Sequence, residues 1–464
     1  MTSEGRERRL GAKLARLWGD ASYRWRLAKL ALSRRLHPGR RLMASICGNF
    51  PIYSQTFVYQ ELVQLQAYGF EVRHAFSFSL PRSDLHQAFS ALWSRKLLLA
   101  HDYGRHQRDF EYYRERFPER VKALVEEVAA ASGMSQGELT HHHDFLRGFT
   151  YTRMVEAWRP TWLHSYFFYE RSLYSLIAGW VLEIPRGVSS YADHLLKDYE
   201  LKLVPLQLRL CDVVVATSAR IKEELLSLAP DIDPDKIVVK PNAIDSQHFP
   251  IVQRKSPAEG EPFRLACVAR IEPKKGLLHL MQAVQILSQD RGRNVEVHLI
   301  GEADPKDEAG QECYRELLQF CEQHGISDRV HLEGRQSQTE VRGFLERSHA
   351  FVAPFVETDT GDKDGIPTAL LEALATGIPT IVTDAGSMLE VVTDGVDGLV
   401  VKQRDGAAIA SAIESLIDDD ELCRRIGAAA AETVAAKFDV RVCESRLHQC
   451  IERVLASAAS KGGA

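Results

Sequence analysis

The chain has 464 residues, 45% apolar and 26% charged. It exceeds the roughly 250 to 300 residues at which single cores stop growing, so two domains are expected. No run reaches the roughly 18 consecutive apolar residues of a membrane span. Eight scattered cysteines with no C-x-x-C pair favour neither a disulfide framework nor a zinc site.

The net charge is −5, yet the first 41 residues carry twelve Lys or Arg against three acidic residues, a surplus of nine that leaves −14 on the remainder. In this segment Leu10, Leu14, Leu17 and Ala21 share one helical face, and Leu27, Leu30 and Arg34 continue the spacing near Trp18, Tyr23 and Trp25. The pattern is that of a basic amphipathic helix on anionic lipid. The plainer reading is a basic tail or a helix packed on the protein itself. The segment lacks the continuous apolar stretch of a signal peptide, so a cytoplasmic chain is expected, peripheral on the inner face of the cell membrane through residues 6–35, with no nucleic-acid partner.

Residues 42–47 read as a buried strand, followed by a loop from Gly48 to Thr56 and a helix through Val58, Leu62 and Leu65 that ends at Gly69. Residues 100–150, rich in charge and helix formers, predict helical insertions. Strand-like runs return at 162–167, 187–191 and 212–217, with a helix at 219–228 and a strand at 236–240. The polar stretch 253–262, with Pro257, Gly260 and Pro262, reads as a linker. It separates an N-terminal domain at 42–252 from a second one at 263–436, and residues 437–464 form a final helix. In the second domain strands are expected at 263–269, 295–300, 329–333 and 350–355, and Ser337 with Glu340 forms a capping box for the helix between the last two. Alternation of this kind predicts α/β architecture with parallel, doubly wound sheets and ligands at the carboxyl ends of their strands.

Two stretches carry chemistry. After the 350–355 strand, Asp364-Gly365-Ile366-Pro367-Thr368 leads into a short helix with Pro367 expected at its first position, punctuated at its end by Gly377 and Pro379. The free amides and positive dipole end at Gly365 to Ala369, a stretch that includes Ile366, Pro367 and Thr368, suit a phosphate, and Glu372, a turn in, suits ribose hydroxyls. After the 263–269 strand, Arg270 and Lys275 place two cations where they can neutralise a diphosphate leaving group without a metal. The run His141-His142-His143-Asp144 makes a poor tetrahedral site, because successive helical residues point different ways, and no metal is expected. His164 and the aromatic cluster Trp162, Tyr166, Phe167, Phe168 and Tyr169 read more simply as core.

Together these motifs resemble the retaining GT-B glycosyltransferases of family 4, the glycosyl transferases group 1, over most of residues 42–455. Pro241-Asn242-Ala243-Ile244-Asp245 is similar to the family's PNGVD junction, Arg270 to Gly276 to its GR-x4-KG, and 364–379 to its EGxPxxxxEAxAxGxP run, with Asp364 in place of the first glutamate. Gly386 to Val392 resembles the GG-x-x-E-x-V segment. Phe50 to Val58 resembles the FPxxSETFV loop of the exopolysaccharide, colanic acid subgroup, with Gln55 where Glu is common.

The resemblance implies a GT-B fold, two Rossmann-like domains facing a cleft, with the final helix crossing back to the first. It also implies transfer of a hexose-type sugar from a UDP- or GDP-sugar to a saccharide or lipid-linked saccharide acceptor, with retention of configuration and no cofactor beyond the donor as co-substrate. Diphosphate binding falls to Arg270 and Lys275, ribose to Glu372, the sugar side to Asp364, and the first-domain loop to Gly48. Either His194 or Asp193 takes the place of the family histidine near the reacting sugar. The alternatives are an inactive nucleotide-sugar-binding subunit and a GT-B epimerase or phosphorylase.

Overall fold

The computed structural model describes residues 41–50, 52, 56–76, 78–79, 89–93, 97–98, 102–191 and 200–462, with most of 21–32. Asp193 and His194 lie outside the described residues, as do Gln55 and the basic segment ahead of residue 21. Contacts divide the chain into two units, 1–215 with 224–238 and 447–464, and 216–223 with 239–446.

The first unit is built on a sheet of β1 (Arg41–Ile46), β2 (Phe70–Phe76), β3 (Leu97–Leu98), β4 (Trp162–Tyr166), β5 (Arg186–Ser190), β6 (Val213–Ala216) and β7 (Ile237–Val239), ordered β3-β2-β1-β4-β5-β6-β7. β1 pairs in parallel with β2 and β4, β2 with β3, and β4 with β5. Every residue of β4 and β5 is buried, as expected for parallel strands covered on both faces. The helix Thr56–Ala67 covers one side through Val58, Leu62 and Leu65.

The charge-rich region folds as the helices Tyr103–Arg116, Pro118–Ser132 and His143–Trp158, whose inward stripes (Phe110, Leu124, Phe145, Phe149) make a core shared with Leu173, Leu176 and Ile177 of the Glu170–Leu182 helix. The described part of the N-terminal segment is helical and rests on these helices. The Tyr23 hydroxyl donates to Asp109 at 3.2 Å, Arg105 stands 4.0 Å over the Tyr23 ring, and Leu27 packs beside Tyr151 and Trp158. Trp25 and Leu32 face outward, 64% and 55% exposed.

The second unit carries β8 (Phe263–Val268), β9 (Val295–Ile300), β10 (Val330–Gly334), β11 (Ala350–Ala353), β12 (Thr380–Thr383) and β13 (Leu399–Val401), all parallel, ordered β10-β9-β8-β11-β12-β13. Ser337 and Glu340 form the expected capping box ahead of the helix Gln338–Arg347. Besides 216–223, the second unit takes the chain from Val239 onward, ahead of the polar stretch at 253–262. The physical reason is that Ile244 and Phe249 are already buried in the second core. The polar stretch that follows is also tied down: Arg254 donates to the carbonyls of Thr376 (2.8 Å), Leu345 (3.0 Å) and Ser348 (3.1 Å). The final helix, Val440–Gly462, contributes residues up to Arg446 to the second unit and from Leu447 onward to the first.

Candidate functional site

In the second sheet the chain runs from β8 outward to β9 and β10, then returns to β11 on the other side of β8. The loops leaving β8 and β11 therefore part at a topological switch point, where open α/β sheets bind ligands. The loop after β8 holds Arg270 to Gly276, and the loop after β11 holds Asp364 to Thr368. Gly276 has φ +59, and a Cβ there would stand 2.1 Å from the Pro354 carbonyl oxygen, so only glycine lets the two loops meet. The Val356 amide donates to the Lys274 carbonyl at 2.9 Å and stitches them together.

Lys275 is 8% exposed. Its ammonium contacts the Asp364 carboxylate, lies 3.9 Å from Glu272 and stands 4.1 Å over the centre of the Phe355 ring, a cation–π arrangement. Arg270 pairs with the other oxygen of Glu272 at 3.1 Å and is 62% exposed. The two predicted cations thus flank one shared carboxylate at the carboxyl end of β8. Lys274 adds a third positive charge, 3.3 Å from Asp362 and 3.8 Å from Asp364. Burial pulls its ammonium down, but Asp364, Glu272 and Asp362 outweigh that and leave it raised.

The Asp364 backbone is equally constrained. Its carbonyl accepts from Arg220 at 3.2 Å, and it lies against Gly386. The Ile366 carbonyl accepts from the Asn242 amide at 2.9 Å, and the Ile366 side chain is buried, leaving only its backbone toward a ligand. The helix begins at Thr368 and runs to Ala375. Pro367 is therefore its cap and not its first residue, because a ψ of 133° keeps it extended. Glu372 is half-buried, and burial pushes its carboxyl up to about 7 against a weak bond from Gln338 at 3.4 Å.

In the first unit, Gly48 follows β1 at the corresponding switch between β1 and β4, with Arg171 3.9 Å from where a Cβ would stand. Arg171, at the start of the Glu170–Leu182 helix, escaped sequence reasoning because a lone arginine carries no spacing signal. His164 is a core residue. It is fully buried in β4, with Nε2 2.8 Å from the Ser189 hydroxyl and 3.5 Å from the buried Glu61, whose other oxygen accepts from Tyr191 at 2.8 Å. Trp162, Tyr166, Phe167 and Phe168 are likewise buried. The His141–His143 run does not converge: His141 bonds the Gly137 carbonyl, and His143 stacks on Tyr103. Glu272, Lys274, Asp362 and Arg220 were missed as partners, since their roles depend on contacts between loops far apart in sequence.

Two Rossmann-like units, each built on a parallel sheet with a topological switch point, define the GT-B class of fold. Solved structures agree. Anabaena HepE in complex with UDP superposes with a TM-score of 0.65 at 13% identity, covering 89% of this chain and all of that one. Sucrose-phosphate synthase of Thermosynechococcus elongatus gives 0.62 at 18% identity, covering 90% and 100%.

Residues 249–433 match the family described as glycosyl transferases group 1. The chain is similar to a Salmonella typhimurium protein named for colanic acid biosynthesis as a glycosyltransferase, WcaL, at 30% identity over 48% of this chain and 51% of that protein. It is also similar to the amylovoran biosynthesis glycosyltransferase AmsK of Erwinia amylovora, at 28% identity over 47% and 51%. These alignments span about half the length of the curated relatives. Among the described residues no helix is long and apolar enough to cross a membrane.

Proposed function

We propose that the protein is a glycosyltransferase that moves a hexose-type sugar from a nucleoside diphosphate donor to a lipid-linked saccharide in exopolysaccharide assembly. The observation that carries this reading is the meeting of Lys275 with Asp364 at the β8/β11 switch point, beside the amino end of the Thr368–Ala375 helix. A diphosphate carries more charge than one carboxylate and competes with Asp364 for the Lys275 ammonium, while the unpaired amides of the helix start take its oxygens. Arg270, exposed at the mouth, closes on the outer phosphate. Glu372 accepts from the ribose hydroxyls. Charge on the leaving diphosphate grows as the glycosidic bond breaks, so these fixed cations act most strongly in the transition state.

The leaving phosphate then serves as the base for front-face attack, which gives retention without a metal, and Asp364 lies beside the sugar. Gly48 and one of Asp193 or His194 serve the acceptor side. The names of WcaL and AmsK support the exopolysaccharide assignment, and the UDP held by HepE supports a nucleotide donor. Outward-facing Trp25 and Leu32, beside Arg24 and Lys29, support contact with an anionic membrane surface.

Purified chain offered UDP-, GDP- and ADP-sugars, with and without lipid-linked saccharide, tests the reading by release of nucleoside diphosphate. Release that depends on acceptor is expected for one donor. Equal release without acceptor, or none with any donor, contradicts it.

A further inference from the structure

β9 and β10 carry an unusual face for a parallel sheet. Glu296 and His298 alternate with the buried Val295, Val297 and Leu299 on β9. His331 lies opposite His298 in the β10 register, and Glu333 follows two residues on, so all four side chains share one surface. The rings of His298 and His331 stack with centroids 4.7 Å apart. His298 Nδ1 is 2.7 Å from a Glu333 oxygen, close enough to fix the hydrogen there. Its Nε2 stands 3.4 Å from Glu296 Oε1. On the other side His331 Nε2 faces Glu296 Oε2 at 3.5 Å.

Arg264, from β8, donates to Glu296 Oε1 at 3.0 Å, and the other oxygen, Oε2, is the one that faces His331. One donor atom from each of Glu296, His298 and His331 lies within 4.8 Å of the others. An ion with bonds of about 2.1 Å in tetrahedral geometry spaces its ligands about 3.4 Å apart, so a small rotation of the Glu296 carboxylate, whose two oxygens each face one imidazole at 3.4 and 3.5 Å, is what closes the set on one ion. Glu333 stands where a carboxylate orients a ligating histidine through its second nitrogen. The group is only partly covered, with 39% of the His331 side chain exposed, so an ion and a completing water can reach it.

We propose that Glu296, His298 and His331 form a binding site for one divalent transition-metal ion of the zinc type, oriented by Glu333. Two imidazoles and a carboxylate select such an ion over magnesium or calcium, which prefer oxygen ligands. The site lies on the strands themselves and not in the loops that hold Lys275 and Asp364. The ion's role is to pin the edge strand β10 to β9, which sets it apart from the metal-free reaction proposed above. The two readings can fail independently.

The test uses full-length chain stripped with chelator and titrated with Zn2+ in a calorimeter and with Co2+ in a spectrophotometer. One equivalent is expected to bind, with the strong visible bands of tetrahedral Co2+ and a rise in melting temperature on Zn2+ addition. His298→Gln and His331→Gln are expected to lose this binding. Glu333→Gln is expected to weaken it about 10- to 100-fold. H141Q/H143Q, which alters the other histidine-rich run, is expected to bind as wild type. Melting in chelator shows whether each variant folds, and the wild-type Co2+ spectrum decides the question even where one does not. Absence of saturable binding, octahedral Co2+ bands, or equal binding by wild type and His331→Gln overturns the proposal.

Discussion

The Lys275 ammonium contacts the Asp364 carboxylate although 89 residues separate them in sequence. Parallel pairing of β8 with β11 brings their loops to one end of the sheet, and Gly276 removes the side chain that would hold those loops apart. Lys275→Ala is expected to lower kcat about 100- to 1000-fold, the loss seen when one fixed transition-state donor is removed. Arg270→Ala, at an exposed position, is expected to act mainly on donor KM, by roughly tenfold or less. Steady-state kinetics on both variants, with circular dichroism to confirm folding, checks the ordering.

Glu372 gives the site a pH dependence. Burial raises its carboxyl to about 7, above the roughly 4.3 of an unfolded chain, so ionisation opposes folding. Its contribution to stability is complete below about pH 4.3, declines as pH rises and is lost above about pH 7. On the proposed function ribose hydroxyls donate to the ionised form, so nucleotide affinity is expected to rise with pH through 7, with a proton released on binding. Calorimetry in two buffers of different ionisation enthalpy measures that proton. Glu372→Gln is expected to abolish its release and to flatten the fall of melting temperature between pH 5 and pH 8.

Gly386 takes φ +58, and a Cβ there would stand 2.3 Å from the Asp364 carbonyl oxygen. Gly386→Ala is expected to cost about 1 to 3 kcal/mol and to shift Asp364 away from Lys275. Thermal melting should show the first effect and a fall in kcat the second. A variant with wild-type kcat would mean that the Asp364 backbone position is unimportant to turnover.

Much of this was legible from pattern alone. β9 reads directly at 295–300 because buried and half-buried residues alternate along it, and the Ser337/Glu340 box announces its helix. The cations and the Asp364 loop were legible because a family motif keeps them at fixed spacing. Their partners were not: Glu272 between Arg270 and Lys275, and Asp362 on Lys274, are set by which strands neighbour one another. Pro367 shows the limit at one-residue resolution, since its fixed φ fits a cap as well as a first helical turn and only ψ distinguishes them. Ala243, where the family motif has glycine, is explained by packing, as its methyl group is buried against Val440 and Cys443.

Lys240 and Glu444 form an ion pair at 2.8 Å with side chains only 2% and 3% exposed. Lys240→Met removes the buried cation that faces Glu444 and is expected to cost about 3 to 5 kcal/mol. K240M/E444M is expected to recover most of the loss, because methionines of similar volume pay no desolvation. Denaturant melts of the single and double variants give the coupling.

The central claim is that Lys275 receives the diphosphate of the donor. Calorimetric titration of wild type and Lys275→Ala with a nucleoside diphosphate and with the corresponding nucleoside tests it most directly. The account predicts at least tenfold weaker diphosphate binding by the variant, with nucleoside affinity unchanged. Diphosphate affinity equal in the two proteins, or parallel loss of both ligands, would contradict it.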